Sequence, residues 1–210
     1  MHGPQLAHTL ADALPELAHE EPGTQFENPH LVALNEPLAE ELGLDIAWLK
    51  SENGLKFLTG SHGGHAMAYA GHQFGQFVPL LGDGRALLLG DTAGYEIQLK
   101  GSGPTAFSRR GTDGVGAVGP MLREHLVSAF MHAAGVPTTR SLAVLTTGGT
   151  VIRQQGAVPG GIVVRVAQSH LRVGTVQYAA TQSEELVAKV VAAAGFTDAE
   201  TMLAEVTRRQ

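Results

Sequence analysis

The order of apolar segments predicts an α+β fold, a small antiparallel sheet with one helix laid against it. Three observations carry this. Glycines punctuate short apolar runs between Ser61 and Gly116, and Tyr95–Lys100 alternates with period two. A single clear helix follows, bounded by Pro120 and Gly135 with Pro137 beyond. Further strand-like runs come after it. Strands, one helix, then strands is not the regular βαβ alternation of a doubly wound sheet, and there is no Walker phosphate loop.

The first sixty residues read as helical. Leu6, Leu10 and Leu14 are spaced four apart, on one helical face, and Pro15 interrupts them. Pro37–Gly43 is a short helix with proline in its first turn and glycine at its end, and Asp45–Lys50 is another helical turn. Strands are then predicted at Phe77–Leu81, Ala86–Leu89 and Tyr95–Lys100, as a meander. Asp83-Gly84 should turn the first hairpin, because both residues tolerate positive φ. In the 120–135 helix, Leu122, Leu126, Phe130 and Ala133 form the main apolar stripe, and Glu124 lies off it. Ser141–Thr147, Thr150–Arg153 and Gly161–Ala167 are three more strands, the first two joined by a tight turn at Gly148-Gly149. Amphipathic helices at Gln182–Val191 and Asp198–Arg209 close the chain.

Composition narrows the function. With 14 Lys+Arg against 20 Asp+Glu the net charge is -6, which argues against a non-specific nucleic-acid coat. No apolar run reaches membrane-span length, and the first residues lack a signal-peptide pattern. With no cysteine, disulfides, thiolate zinc sites and a cysteine nucleophile are excluded. Glycine is the outlier, 27 of 210 residues against a usual ~7%.

Several residues could carry chemistry. Gly82-Asp83-Gly84-Arg85 is either a plain turn with Arg85 in water, or a loop whose glycines let backbone approach a phosphate beside an arginine fork. Lys100, one of only four lysines, ends a strand ahead of Gly101-Ser102-Gly103; it is either solvated or reaches into a cleft. Ser108–Gly114, which contains Asp113, is a donor-rich loop, either an ordinary surface loop or a second loop contacting phosphate or base. Glu124 could face water, pair with Arg123 or His125, or hold Lys100 extended. Arg165 shares a strand face with Val163 and Ala167, a costly position unless an anion or a protein carboxylate pairs with it. Arg172 stands seven residues on, and the two could clamp a phosphate. His62, His65 and His72 hint at a metal, but no acidic residue nearby completes a ligand set.

Taken together, Tyr69–Gly75, Leu81–Arg85, Gln98–Gly103, Ser108-Arg109, Gly135–Arg140 and Arg165–Arg172 resemble the selenoprotein O family, also called SelO or YdiU. The resemblance covers about residues 25 to 178. It implies a protein-kinase-like fold and a protein adenylyltransferase, which transfers AMP from ATP to Ser, Thr or Tyr hydroxyls of proteins. Carried over by motif, Gly82, Gly84, Arg85, Lys100, Asp113, Gly114, Arg165 and Arg172 would bind ATP, with Glu124 supporting Lys100. The family also uses magnesium or manganese, a catalytic aspartate followed by a metal-binding asparagine, and a later metal-binding aspartate, all in a second lobe. Here no asparagine follows Asn53 and Asp198 is the only aspartate after Asp113, so no catalytic or metal residue is assigned.

The expected organisation is a helical N-terminal extension (1–65), a kinase-like nucleotide-binding lobe (66–180) and a helical tail (181–210). The expected protein is the N-terminal, ATP-binding part of a cytoplasmic adenylyltransferase, inactive alone. The other readings are a non-catalytic nucleotide-binding or regulatory module, and a truncated product. A surface left bare by a missing second lobe would favour self-association.

Overall fold

The computed structural model describes residues 3–154 and 156–209. The chain opens with α1 (Thr9–Ala13), β1 (Ala18–Glu21), β2 (His30–Leu34), α2 (Glu36–Glu41), α3 (Ile46–Leu49) and α4 (Glu52–Thr59). Next come β3 (Gly64–Met67), β4 (Gly71–Gln73), β5 (Gln76–Val78), β6 (Ala86–Thr92) and β7 (Tyr95–Lys100). A short β8 (Gly116–Ala117) leads into α5 (Val118–Ala133). The long strands β9 (Arg140–Arg153) and β10 (Gly156–Ala167) precede α6 (Val173–Gln182), α7 (Glu184–Ala193) and α8 (Ala199–Arg209).

This is an α+β fold on an eight-stranded antiparallel sheet, in the order β1-β3-β6-β7-β10-β9-β2 with β8 on β10, and β4 and β5 form a separate two-stranded sheet. The first sixty-five residues are helical only in part, since β1 and β2 form the two edges of the sheet. The polar sequence of β1, Ala-His-Glu-Glu, gives no apolar alternation to read. The helical stretches there are capped as their sequences dictate: Asn35, Asp45 and Ser51 each accept a backbone N–H of the helix that follows.

Period two in β7 separates the faces of the sheet. Ile97 and Leu99 join Leu87, Leu89, Leu145 and Ile162 in the main core, which α2, α3 and α4 cover. On the other face, α1, α6 and α7 pack over Met67 and Leu88, while α5 packs over Val144 and Val163 through Met121. Glu96, Gln98 and Lys100 lie on that same second face, between the two covers.

Four local expectations are corrected. Asp83-Gly84 does not turn a hairpin. The tight turn is at Phe74-Gly75, both at positive φ (54° and 78°), between β4 and β5. Asp83 instead is buried against β3. Gly148-Gly149 does not turn either, because β9 runs straight through to Arg153 before doubling back into β10. Gly148 is required for another reason: at φ 79° its Cβ would stand 2.3 Å from the Asn28 carbonyl oxygen. The stripe Leu126–Phe130 on α5 faces outward, at 66% and 70% exposure. The sheet beneath α5 is partly polar, so the helix turns Met121, Glu124, His125 and Ser128 toward it. Finally, α6 was not anticipated. Among the described residues no helix is long and apolar enough to cross a membrane.

Where β10 passes under the start of α5, a Cβ on Gly161 would lie 2.6 Å from Val118 Cα. Gly161→Ala should therefore cost several times the ~1 kcal/mol typical of point mutants. Gly119→Ala, with open space around it inside α5, should stabilise by about 0.5 kcal/mol. Urea unfolding midpoints of the two variants check the contrast.

Candidate nucleotide-binding site

A cleft of about 1000 Å³ opens between the Gly82–Ala86 segment, the 107–115 loop, the tip of the β9–β10 hairpin and the start of α6. Gly82, Gly84, Arg85, Lys100, Asp113, Gly114, Arg165 and Arg172 all line it. The sequence-derived residues thus come together around one space. Glu124 stands beside them, behind Lys100.

Each side chain is positioned by its element. Lys100 ends β7 on the polar face, and α5 brings Glu124 across so that Lys100 Nζ donates to Glu124 Oε2. Of the options open for Glu124, the structure takes this one. Both side chains keep roughly a quarter to a third of their exposure (26% and 30%), so this ion pair is an orienting contact more than a large stabilising one. Arg165 pairs across the sheet with Gln98, its backbone neighbour on β7. Its Nη2 donates to Gln98 Oε1, and Nη1 lies 3.9 Å from Glu124 Oε1. Burial holds Arg165 below the usual arginine range, and among the described residues its buried Nε has no partner. Arg172 stacks on the Tyr69 ring at 4.8 Å.

The glycines of the loop serve chain-on-chain packing. Gly82 has φ 59°, and its Cβ would stand 2.4 Å from Phe107 Cγ. Thr105 Oγ1 donates to the Asp83 carbonyl at 2.6 Å, and Ser108 Oγ donates to the Gly84 carbonyl, so the 105–108 loop is stitched to the 83–84 segment. Asp113 is engaged as well. Arg153 grips its two oxygens at 2.9 and 3.2 Å, and Oδ1 accepts the Val115 amide. The hydrogen bonds from Arg153 hold the Asp113 carboxyl below the usual carboxylate range.

Sequence reasoning left several lining residues without a role. Arg153, Asp83 and Tyr69 line the cleft beside Arg109 of the donor-rich loop, and Gln98 lies behind it. Gln98 could have been found, since it sits between Glu96 and Lys100 on the polar face of a strand. Arg153 was hidden by the misplaced hairpin turn. Six cationic side chains and two carboxylates line the cleft, in a chain of net charge -6. Such a local excess of positive charge attracts anions. His62, His65 and His72 do not meet: among the described residues no group of three or more His, Asp or Glu is arranged to hold a metal.

Comparison with known proteins gives a class first. A protein of Mycolicibacterium paratuberculosis named protein nucleotidyltransferase YdiU is 58% identical over 177 residues, which is 80% of this chain and 36% of that protein. Proteins of the same name from Rhodococcus jostii and Pseudarthrobacter chlorophenolicus are each 52% identical, over 86% and 88% of this chain and 37% and 40% of their own lengths. The family is narrower still. Residues 5–194 match the protein adenylyltransferase SelO family, and the chain belongs to it. It spans between a third and two fifths of the length of these relatives.

Three histidines make the fold sensitive to acid. Burial holds His65, His125 and His170 below their ordinary value of 6.5. The unfolded chain therefore takes up these protons first as pH falls. Stability should be fullest above pH ~6.5 and decline below it, toward the lowered folded values. His125 bonds Ser141 Oγ at 2.7 Å, and His125→Gln should flatten the decline. Urea midpoints at pH ~7.5 and ~5.5 measure it.

Proposed function

We propose that this chain is the ATP-binding part of a protein adenylyltransferase, an enzyme that moves AMP from ATP onto Ser, Thr or Tyr hydroxyls of proteins. The observation that carries the reading is the convergence of Lys100, Arg165 and Arg172 on one cleft, with Glu124 behind Lys100. A strand lysine oriented by a glutamate on the packed helix is how protein kinases hold ATP phosphates. We infer a kinase-like N-lobe arrangement on that basis, with residues 66–180 as its body.

The residues fit a nucleotide triphosphate. A cleft of about 1000 Å³ lies at the upper end of small-molecule sites. Among the described residues no carboxylate forms an ion pair with Arg85, Arg109 or Arg172, and the buried Arg165 Nε lacks an acceptor. Phosphate oxygens would supply those acceptors. In this reading Lys100, Arg165 and Arg172 hold the polyphosphate, Arg85 adds a charged donor at the mouth, and the backbone at Gly82, Gly84, Asp113 and Gly114 borders the nucleotide.

The residues do not fit the magnesium or manganese that the family expectation includes. Asp113 is gripped by Arg153, Glu124 faces Lys100, and Asp83 Oδ2 already accepts two N–H groups. We propose that this chain alone transfers nothing.

The expected result is saturable ATP binding by the 210-residue chain in calorimetry. Lys100→Ala and Arg165→Ala should each weaken it by about tenfold or more, the loss of one hydrogen bond to a charged group. A wild-type chain without saturable binding overturns the reading. Incubation with labelled ATP, magnesium or manganese and a protein substrate should leave the substrate unlabelled, and robust labelling would refute the inactivity.

The outward stripe of Leu126, Val127 and Phe130 supports one further expectation, that the isolated chain self-associates. Sedimentation should find dimers or larger species at high concentration, and Phe130→Glu should return them to monomers.

A further inference from the structure

Asp83 is a buried carboxyl in a cleft lined mostly by cations. It is 1% exposed, and like charge makes it a poor ligand for phosphate. Its position suggests a different task. Oδ2 accepts the Met67 amide at 3.1 Å and the Gln98 Nε2–H at 3.1 Å. Gln98, also 1% exposed, has its other amide end on Arg165, whose Nη2 donates to Oε1.

A glutamine amide has one accepting end and one donating end. Oδ2 of Asp83 already receives a backbone N–H, so it is an acceptor. The Gln98 NH₂ must therefore face Asp83, which leaves Oε1 for Arg165. A flipped amide would set oxygen against oxygen on one side and N–H against N–H on the other. Burial pushes the Asp83 carboxyl up, and the Met67 amide hydrogen bond, then Arg172 and Arg165, oppose that push. The orientation survives either protonation state. A proton on Asp83 would sit on Oδ1, since Oδ2 already accepts two N–H groups.

We propose that Asp83 is a positioning residue: through Gln98 it fixes the orientation of the Arg165 guanidinium, which would otherwise swing within the cleft. This rests on the reading of Arg165 as a phosphate ligand only for its effect on nucleotide affinity. The effect on Arg165 itself stands apart from that reading.

The test therefore has two readouts on the full chain. The first, without nucleotide, is the guanidinium N–H spectrum of Arg165 in labelled protein. Wild type should give separate, slowly rotating signals, which Asp83→Leu and Gln98→Met should merge. Asp83→Asn keeps an acceptor at the Oδ2 position and should preserve them. The backbone amide spectrum verifies that each variant is folded. The second readout is ATP affinity. Asp83→Leu and Gln98→Met should each weaken it by about tenfold. Because they act in series, the double variant should be no weaker than either single one, and Asp83→Leu should add nothing in an Arg165→Ala background. Arg165 signals that do not change in folded Asp83→Leu, or additive losses of affinity, overturn the proposal. If ATP fails to bind wild type while the guanidinium signals respond as expected, the positioning role stands and the ATP reading falls.

Discussion

A charge or a polar amide set beside a hydrophobic sheet is costly unless it meets a partner, and the polar face of β7 meets that condition three times in six residues, with two charges and one amide. Lys100 takes Glu124 from α5. Gln98 takes Asp83 from the loop before β6 and Arg165 from β10. Glu96 accepts the His170 backbone N–H at 2.5 Å and lies 3.1 Å from His170 Nδ1. Each contact fastens a different piece of the cleft to one strand. Glu124 fixes the distance of α5, Asp83 fixes the glycine loop, and Glu96 fixes the turn that carries Arg172. Meanwhile the alternate residues Ile97 and Leu99 are fully buried in the main core. The strand that organises the hydrophobic interior thus also organises the site, and the two cannot drift apart.

Charge distribution follows from the same economy. The chain is acidic overall, yet the cleft gathers Arg85, Lys100, Arg109, Arg153, Arg165 and Arg172. Two of these are neutralised within the protein, Arg153 by Asp113 and Lys100 by Glu124. Arg165 is only partly compensated, since Glu124 lies at 3.9 Å and, among the described residues, its Nε has no acceptor. Arg172 is held by an aromatic face, which places a cation without cancelling its charge. Tyr69, whose hydroxyl is pushed up to about 12 by burial and by the Asp83 charge, stays neutral beneath it. Of the cleft cations, Arg165 and Arg172 are thus oriented mainly by an amide dipole and an aromatic ring, which place their charge without cancelling it, whereas Lys100 is oriented by a carboxylate.

Much of this was legible in the sequence because it depends on local alternation. The period of Tyr95–Lys100 gave both faces of β7, and the anomaly of Arg165 inside an apolar strand pointed to a partnered cation. What escaped depends on which segments cross in space. Gly148 looks like a turn glycine, but it is small because the Asn28 backbone passes over it. Asp83-Gly84 carries the signature of a hairpin, but the Asp83 carboxylate is drawn inward by the Met67 amide and Gln98, and the turn falls at Phe74-Gly75. Arg153 seemed to end a strand before a loop. The uninterrupted β9 carries it to the rim, where Asp113 waits.

The helix α5 shows why an apolar stripe is a poor guide to which side of a helix is buried here. Its most apolar side, through Leu126 and Phe130, faces out, while Glu124 and His125 face the sheet. A helix laid over a purely apolar sheet would do the reverse. The inversion follows from Lys100 and Arg165, which occupy the sheet face beneath α5 and demand a carboxylate above them. Met121 supplies apolar packing at one end against Val144 and Val163, and Glu124 supplies charge one turn later. A helix seated by an apolar anchor at Met121, Val118 and Leu122 and by polar contacts from Glu124 and His125 is held in rotation as well as in distance. Rotating it to bury Leu126 would withdraw Glu124 from Lys100 and leave Arg165 beside an uncompensated neighbour. The demands of the cleft outweigh the hydrophobic gain on that helix, and the apolar residues remain outside.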